Sequence, residues 1–198
     1  MTSWSVHCGG SCDSLAAGKR HGAPGFVGLR RQVDCRRTST FPTVEKCGTG
    51  CKVSGRMIAI DTNLLVYAQR RGTPEHLRAR KAIERASSDP RGWGIPWPCI
   101  AEFWCVVTHP ASSGGPSPAK EARGFLQALS GSGGATVWTP GTGFWDRLTK
   151  LAADLKIGGA RIFDLQIALV AIENGATELW SHDRAFVGLP GLLVRDPL

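Results

Sequence analysis

The chain has 198 residues, 42% of them hydrophobic, 20% charged, with a formal net charge of +8. That is apolar material enough for one domain with a substantial core. No apolar run reaches the roughly 18 residues of a membrane-spanning helix, so no transmembrane helix is expected, and a cytoplasmic, soluble protein is the default. The charge itself excludes little, because it is unevenly spread. Residues 1–56 hold nine Lys/Arg against three Asp/Glu, while residues 57–198 hold fifteen against thirteen. The basic pI therefore describes the first quarter of the chain and says little about partners of the remainder.

Taken in order, residues 1–56 are rich in Gly, Ser, Thr and Arg and show neither a helical nor a strand period. They carry Cys8, Cys12, Cys35, Cys47 and Cys51. The two C-x-x-x-C pairs are spaced more widely than common structural zinc sites, and His7 and His21 are not placed to complete one. A disulfide framework lacks the apolar leader of a secreted protein, and an organelle transit segment is the weaker reading of the basic composition. A disordered extension is expected, with translation starting at or near Met57.

From Met57 the pattern changes. Ile58-Ala59-Ile60 reads as a buried parallel strand that runs into Asp61, and Asp61-Thr62-Asn63 are N-cap residues for a helix through Leu64–Ala68. Thr73 and Pro74 open a second helix, with Ala79, Ala82, Ile83 and Ala86 inward and Arg78, Lys81 and Arg85 on a basic face. That face is read as solvated surface, with RNA-backbone contact as the sharper alternative. Trp93–Trp97 is a short strand, followed by an apolar helix over Cys99–Thr108 in which Glu102 is the single acid. Cys99 and Cys105 are expected as reduced core residues. A Gly/Ser/Pro loop over Ala111–Pro118 precedes a helix at Lys120–Leu129 and a strand at Thr136–Thr139. Phe144–Leu155 forms a helix with Trp145, Leu148, Leu151 and Ala152 inward. Asp164 opens the most apolar helix, Leu165–Glu173, which stops at Asn174-Gly175. Thr177–Ser181 is a strand running toward Asp183, and Leu192–Arg195 is a last strand. Six tryptophans, Trp93, Trp97, Trp104, Trp138, Trp145 and Trp180, are assigned mainly to the core. Alternating strands and helices predict a parallel sheet with helices on both faces.

Four carboxylates share one topological address. Asp61 and Asp183 follow strands, and Glu102 and Asp164 lie near helix starts, all toward the carboxyl edge of the sheet, where ligands of α/β folds bind. Helix capping explains any one of these acids. It explains Glu102 and Asp164 poorly, because they sit amid apolar residues where an unpaired charge is costly to bury. Several carboxylates without His or Cys favour a hard ion, Mg2+ or Mn2+.

Five stretches then carry a family likeness in order. They are Ile-Asp-Thr-Asn-Leu-Leu-Val-Tyr-Ala, Pro-Trp-Pro-Cys-Ile-Ala-Glu-Phe, Phe-Asp-Leu-Gln-Ile-Ala-Leu-Val-Ala, Gly-Ala-Thr-Glu-Leu-Trp-Ser-His-Asp-Arg-Ala-Phe and the closing Leu-Pro-Gly-Leu-Leu-Val-Arg-Asp-Pro-Leu. Residues 57–198 resemble a PIN-domain ribonuclease, in particular the VapC-type toxin of type II toxin–antitoxin pairs; residues 1–56 take no part. The resemblance implies a PIN-like three-layer α/β/α fold with a central parallel sheet. It implies an acidic quartet at Asp61, Glu102, Asp164 and Asp183 that holds one or two Mg2+ or Mn2+ ions at the scissile phosphate of an RNA, where water is activated as nucleophile. Asp61 and Asp164 are the strongest ligands by this likeness, and Asn63 a residue for holding metal-bound water. A homodimer and a cognate antitoxin partner are implied as well. Two departures stand out: Ala185 replaces an auxiliary acid, and Phe163 stands where the family often has His. His182 is read as a solvent-facing or hydrogen-bonded residue rather than a general base. The competing function is an RNA- or ribosome-binding inhibitor of translation with an inactive cleft; a phosphatase is less favoured, because no phosphate-binding Gly loop is present.

Overall fold

The computed structural model describes residues 57–198; the expectations for residues 1–56 lie outside the described residues. Strand β1 (Met57–Ile60) leads into α1 (Thr62–Gln69) and α2 (His76–Ser87), then β2 (Trp93–Pro96), α3 (Trp97–Thr108) and α4 (Ala119–Ser130). Strand β3 (Thr136–Trp138), α5 (Phe144–Asp154), α6 (Arg161–Glu173), β4 (Ala176–Trp180) and β5 (Leu193–Arg195) complete the domain. The five strands form one all-parallel sheet in the order β3-β2-β1-β4-β5. This is the three-layer α/β/α arrangement expected from the alternation of elements.

β1 is the centre of that sheet, which is why its residues carry no polar side chain: Ile58, Ala59 and Ile60 have no exposed surface. From β1 the chain steps through β2 to β3 on one side, then returns to lay β4 and β5 on the other. The order therefore reverses between β1 and β4, and a crevice opens at their carboxyl ends. Asp61 stands at that point, and its N–H donates to the Trp180 carbonyl at 3.0 Å.

Local chemistry locks the elements to this sheet. Gly94 of β2 lies under the Trp138 indole so closely that a Cβ there would meet Trp138 Cε2 at 2.3 Å and the Thr136 carbonyl at 2.7 Å. Arg70, which caps the end of α1, donates to the carbonyls of Ser113, Gly115 and Val107 and to Ser112 Oγ, tying the α1 end to the α3–α4 loop. Buried Glu178 on β4 is satisfied by Arg91 at 3.1 Å, Arg195 at 3.5 Å and the Trp180 indole N–H at 3.3 Å. Arg and Trp hydrogen bonds hold its carboxyl below the usual range although burial works the other way.

Several expectations need correction. The second helix starts at His76 rather than Pro74, and Thr73 Oγ1 bonds the Arg70 carbonyl instead of capping it. The sixth helix begins at Arg161, so Asp164 lies inside its first turn. Trp93 and Trp138 are core residues, but Trp97, Trp104 and Trp145 are exposed, Trp145 at 72%. The reason is helix phase. On α3 the inward row is Cys99, Phe103 and Val107, which turns Trp97, Trp104 and Cys105 outward; on α5 the row through Leu148 leaves Trp145 outside. Trp180 is half-buried beneath the Arg85 guanidinium, 5.6 Å from the ring centroid. Cys99 and Cys105 are both free thiols, but only Cys99 is buried. Among the described residues, no helix is long and apolar enough to cross a membrane.

Candidate functional site

Asp61 is the buried heart of the crevice, 5% exposed. Its carboxylate is held from both sides. Oδ1 accepts the Thr62 N–H at 2.7 Å, and Oδ2 accepts Ser181 Oγ–H at 2.6 Å and Asn63 Nδ2–H at 2.7 Å. Asn63 Nδ2 also donates to Ser181 Oγ at 2.9 Å, and its Oδ1 accepts the His182 N–H at 3.1 Å. Asn63 thus holds Asp61 and the end of β4 together.

Ser181 links two of the four acids, because its Oγ also accepts the Asp183 N–H at 3.0 Å. Thr62 links Asp61 to a third: its backbone donates to Asp61, and its Oγ1–H donates to Glu102 Oε2 at 2.7 Å. Glu102 is exposed, so the argument that an apolar setting demands a cation there does not hold. Asp183 is exposed as well, its Oδ1 accepting the Ala185 N–H at 2.8 Å. Asp164 is half-buried in the first turn of α6.

The electrostatics shows that the acids share a neighbourhood. Burial pushes the Asp61 carboxyl up to about 7, and the charges of Glu102 and Asp164 add to this, against the bonds from Ser181 and Thr62. Burial also raises Asp164, with the charges of Asp183 and Glu102, against a backbone bond from Val187 and the charge of Arg161. The buried Cys99 thiol is pushed well up by burial and by the Asp61 charge, so it is an inert neighbour and not a thiolate ligand. Burial raises the Tyr67 phenol, with added fields from Glu75, Asp183 and Asp61. That places the tyrosine along the same crevice, its ring edge-on to His182 at 6.0 Å.

Of the two readings of His182, solvent-facing or hydrogen-bonded, the structure has the second: Nδ1 contacts Asp196 Oδ2 at 2.9 Å and Oδ1 at 3.0 Å. Asp196, Ser181 and Thr62 are the residues that sequence reasoning missed as parts of the site. Thr62 was visible only as a cap, Ser181 only as a strand end, and Asp196 only as a terminal acid.

The donor set around Asp61 is carboxylate oxygen, matching a hard divalent ion in charge and softness. A cation would also relieve the burial and like-charge crowding that raise Asp61 and Asp164. Among the described residues, no three His, Cys, Asp or Glu side chains stand together closely enough to hold an ion. The acidic oxygens point instead to the hydroxyl, amide and backbone donors named above.

With this geometry in view, comparison with known proteins is informative. Residues 58–192 match the PIN domain. Ribonuclease VapC43 of Mycobacterium tuberculosis is 35% identical over 142 residues, which span 72% of this chain and 96% of the relative. Ribonuclease VapC48 of the same organism is 28% identical over 137 residues, 69% of this chain and 94% of the relative. Among solved structures, the sarcin–ricin-loop-cleaving toxin VapC20 of M. tuberculosis superposes with a TM-score of 0.51 at 13% identity, covering 65% of this chain and 92% of that one. VapBC2 of Rickettsia felis, bound to a fragment of its promoter DNA, gives 0.50 at 18% identity, covering 70% of this chain and 97% of that one. At those identities the structures speak for the fold, and the sequence relatives for the family. An acid-lined crevice at the switch point of a β3-β2-β1-β4-β5 parallel sheet, in a chain that matches the PIN domain over residues 58–192 and VapC43 over 142 residues, places this protein in the PIN-domain family among the VapC-type ribonucleases.

Proposed function

We propose that the protein is a Mg2+-dependent endoribonuclease, with Mn2+ as an alternative ion, and the toxin of a toxin–antitoxin pair. In this reading it works in the cytoplasm as a homodimer and is silenced by a cognate antitoxin. The observation that carries the proposal is the buried Asp61 carboxyl at the switch point of the sheet, pushed up to about 7 by burial, with the charges of Glu102 and Asp164 adding to it. Such a group is poised for a cation, and the named activity of the relatives VapC43 and VapC48 supplies the substrate class.

Asp61 and Asp164 would be the principal ligands, and Asp183 and Glu102 the two exposed acids that complete the set. When bound, the ion stabilises charge on the scissile phosphate and lowers the pKa of the attacking water. The chain's own contribution is orientation. Thr62, Asn63 and Ser181 fix both oxygens of Asp61, and the Thr62 hydroxyl steers Glu102, leaving it either a ligand or a base. An antitoxin segment bearing an Arg would satisfy the same carboxylates through charge-assisted hydrogen bonds.

The test is incubation of the full chain and its Asp164→Asn form with total cellular RNA, with Mg2+ and with excess chelator, followed by mapping of RNA ends. Discrete cuts that need both the metal and Asp164 are expected. Intact RNA with the folded, antitoxin-free wild type, together with retained RNA binding, would favour translation block by occupancy.

A further inference from the structure

We infer that the cavity between the carboxyl ends of β4 and β5 is a subsite for one unpaired nucleotide of the RNA, next to the acidic edge; this rests on the ribonuclease reading above. The cavity measures about 300 Å3 and is lined by Ser181, Asp183, Arg184, Phe186, Val194 and Asp196. That is the lower end of the roughly 300–1,000 Å3 of small-molecule sites, the size class of a single nucleotide and not of a protein helix. It is continuous with the catalytic edge, since Ser181 lines it and also donates to Asp61 at 2.6 Å.

Three groups in it match two parts of a nucleotide, one its phosphate and two its base. Arg184 is exposed, and among the described residues its guanidinium makes no hydrogen bond or ion pair, so its fork of donors is available to a phosphate. Phe186, half-buried beside Val194, supplies an apolar face for a base. Asp196 supplies an acceptor of defined capacity. Its Oδ1 accepts the Leu198 N–H at 3.0 Å and faces His182 Nδ1 at 3.0 Å, while Oδ2 takes only His182 Nδ1 at 2.9 Å. A carboxylate offers about four lone-pair sites, so one on Oδ2 is left for a single N–H of a base edge. Against burial, the His182 and Leu198 hydrogen bonds, with the nearby charges of His182 and Arg184, keep Asp196 below its ordinary range, in the accepting form. A base inside a duplex has both its face and its N–H edge occupied, so the subsite selects single-stranded RNA.

The experiment measures binding, not cleavage. Fluorescence anisotropy of a short labelled single-stranded RNA, and of the same strand annealed to its complement, is recorded in Mg2+ with the full-length Asp164→Asn chain as parent. A gel checks that the RNA stays whole. Arg184→Gln and Phe186→Leu are each expected to weaken single-strand binding at least about fivefold, with unchanged thermal unfolding. Arg123→Gln, an exposed charge on α4, should leave it unaltered. Unchanged binding in the folded variants, or equal affinity for duplex and single strand, would overturn the inference. Should Phe186→Leu fold poorly, Arg184→Gln against Arg123→Gln decides alone. A wild type that leaves RNA uncut while Arg184→Gln loses affinity would retire the nuclease reading and keep the subsite; efficient cutting with unaltered binding would do the reverse.

Discussion

Ser181 carries more of the site than any single acid except Asp61, because one hydroxyl donates to Asp61 and accepts from both Asn63 and Asp183. Ser181→Ala removes a hydrogen bond to an ionisable group and leaves two donors without their acceptor. A loss of about 1.5–3 kcal/mol is typical of such a bond, which corresponds to a fall of roughly 10- to 150-fold in kcat/KM. Ser181→Thr, which keeps the hydroxyl, should retain most activity in the same cleavage assay. The raised Asp61 carboxyl makes a second prediction, about pH. Unfolded, it loses its proton near 3.8; folded and metal-free, it keeps it until about 7. Between those values the unfolded chain binds fewer protons, so stability falls as pH rises through the window and levels off above it. Asp89, Glu178 and Asp196 are shifted down, and the stability they add is complete above their unfolded values of 3.8, 4.5 and 3.8. A decline from about pH 5 to 7 therefore reports the raised acids. Urea unfolding in chelator should show it in the wild type and show it flattened in Asp61→Asn; a flat wild-type profile would refute the assignment.

At the scale of elements, β2 depends on a missing side chain. Gly94→Ala would drive a methyl into the Trp138 indole and the Thr136 carbonyl, separating β2 from the edge strand β3. Overpacking of this kind costs about 1–3 kcal/mol, measurable as a lower urea midpoint with an unchanged slope. The opposite case is Trp145, on the outer face of α5. Trp145→Ser should change stability by no more than about 0.5 kcal/mol, as exposed substitutions do. Together the two variants test the observed helix and sheet phases against the alternative in which Trp145 is inside.

For the whole molecule, the crevice gathers negative charge from α1, α3, α6 and the end of β4, so an ion bound there ties four elements together. On the proposed reading Mg2+ would bind the native chain and not the unfolded one, and its addition should then raise the thermal unfolding midpoint. The rise should be larger at pH 8 than at pH 6, since the ligands must give up the Asp61 proton that burial retains to about 7. Asp61→Asn should abolish most of the difference, and an equal Mg2+ effect at both pH values would argue for surface binding away from the crevice.

The sequence by itself determined whatever depends on near neighbours. Apolar Ile58-Ala59-Ile60 ending on Asp61, the Ala row of α2, the Asn174-Gly175 stop and the alternation of strand and helix were all legible, and with them the parallel sheet and the edge where the acids would fall. Periodicity and capping are short-range properties, written within a few turns of chain. Tertiary structure alone decided which helix rows face inward, so that Trp145 and Cys105 lie outside although both were expected in the core. It alone also decided the partners of the acids. Asp61 meets Ser181 across 120 positions, and Thr62 meets Glu102 across 40. Bonds of that reach exist only once β4 lies beside β1 and α3 beside α1, and no local pattern encodes them.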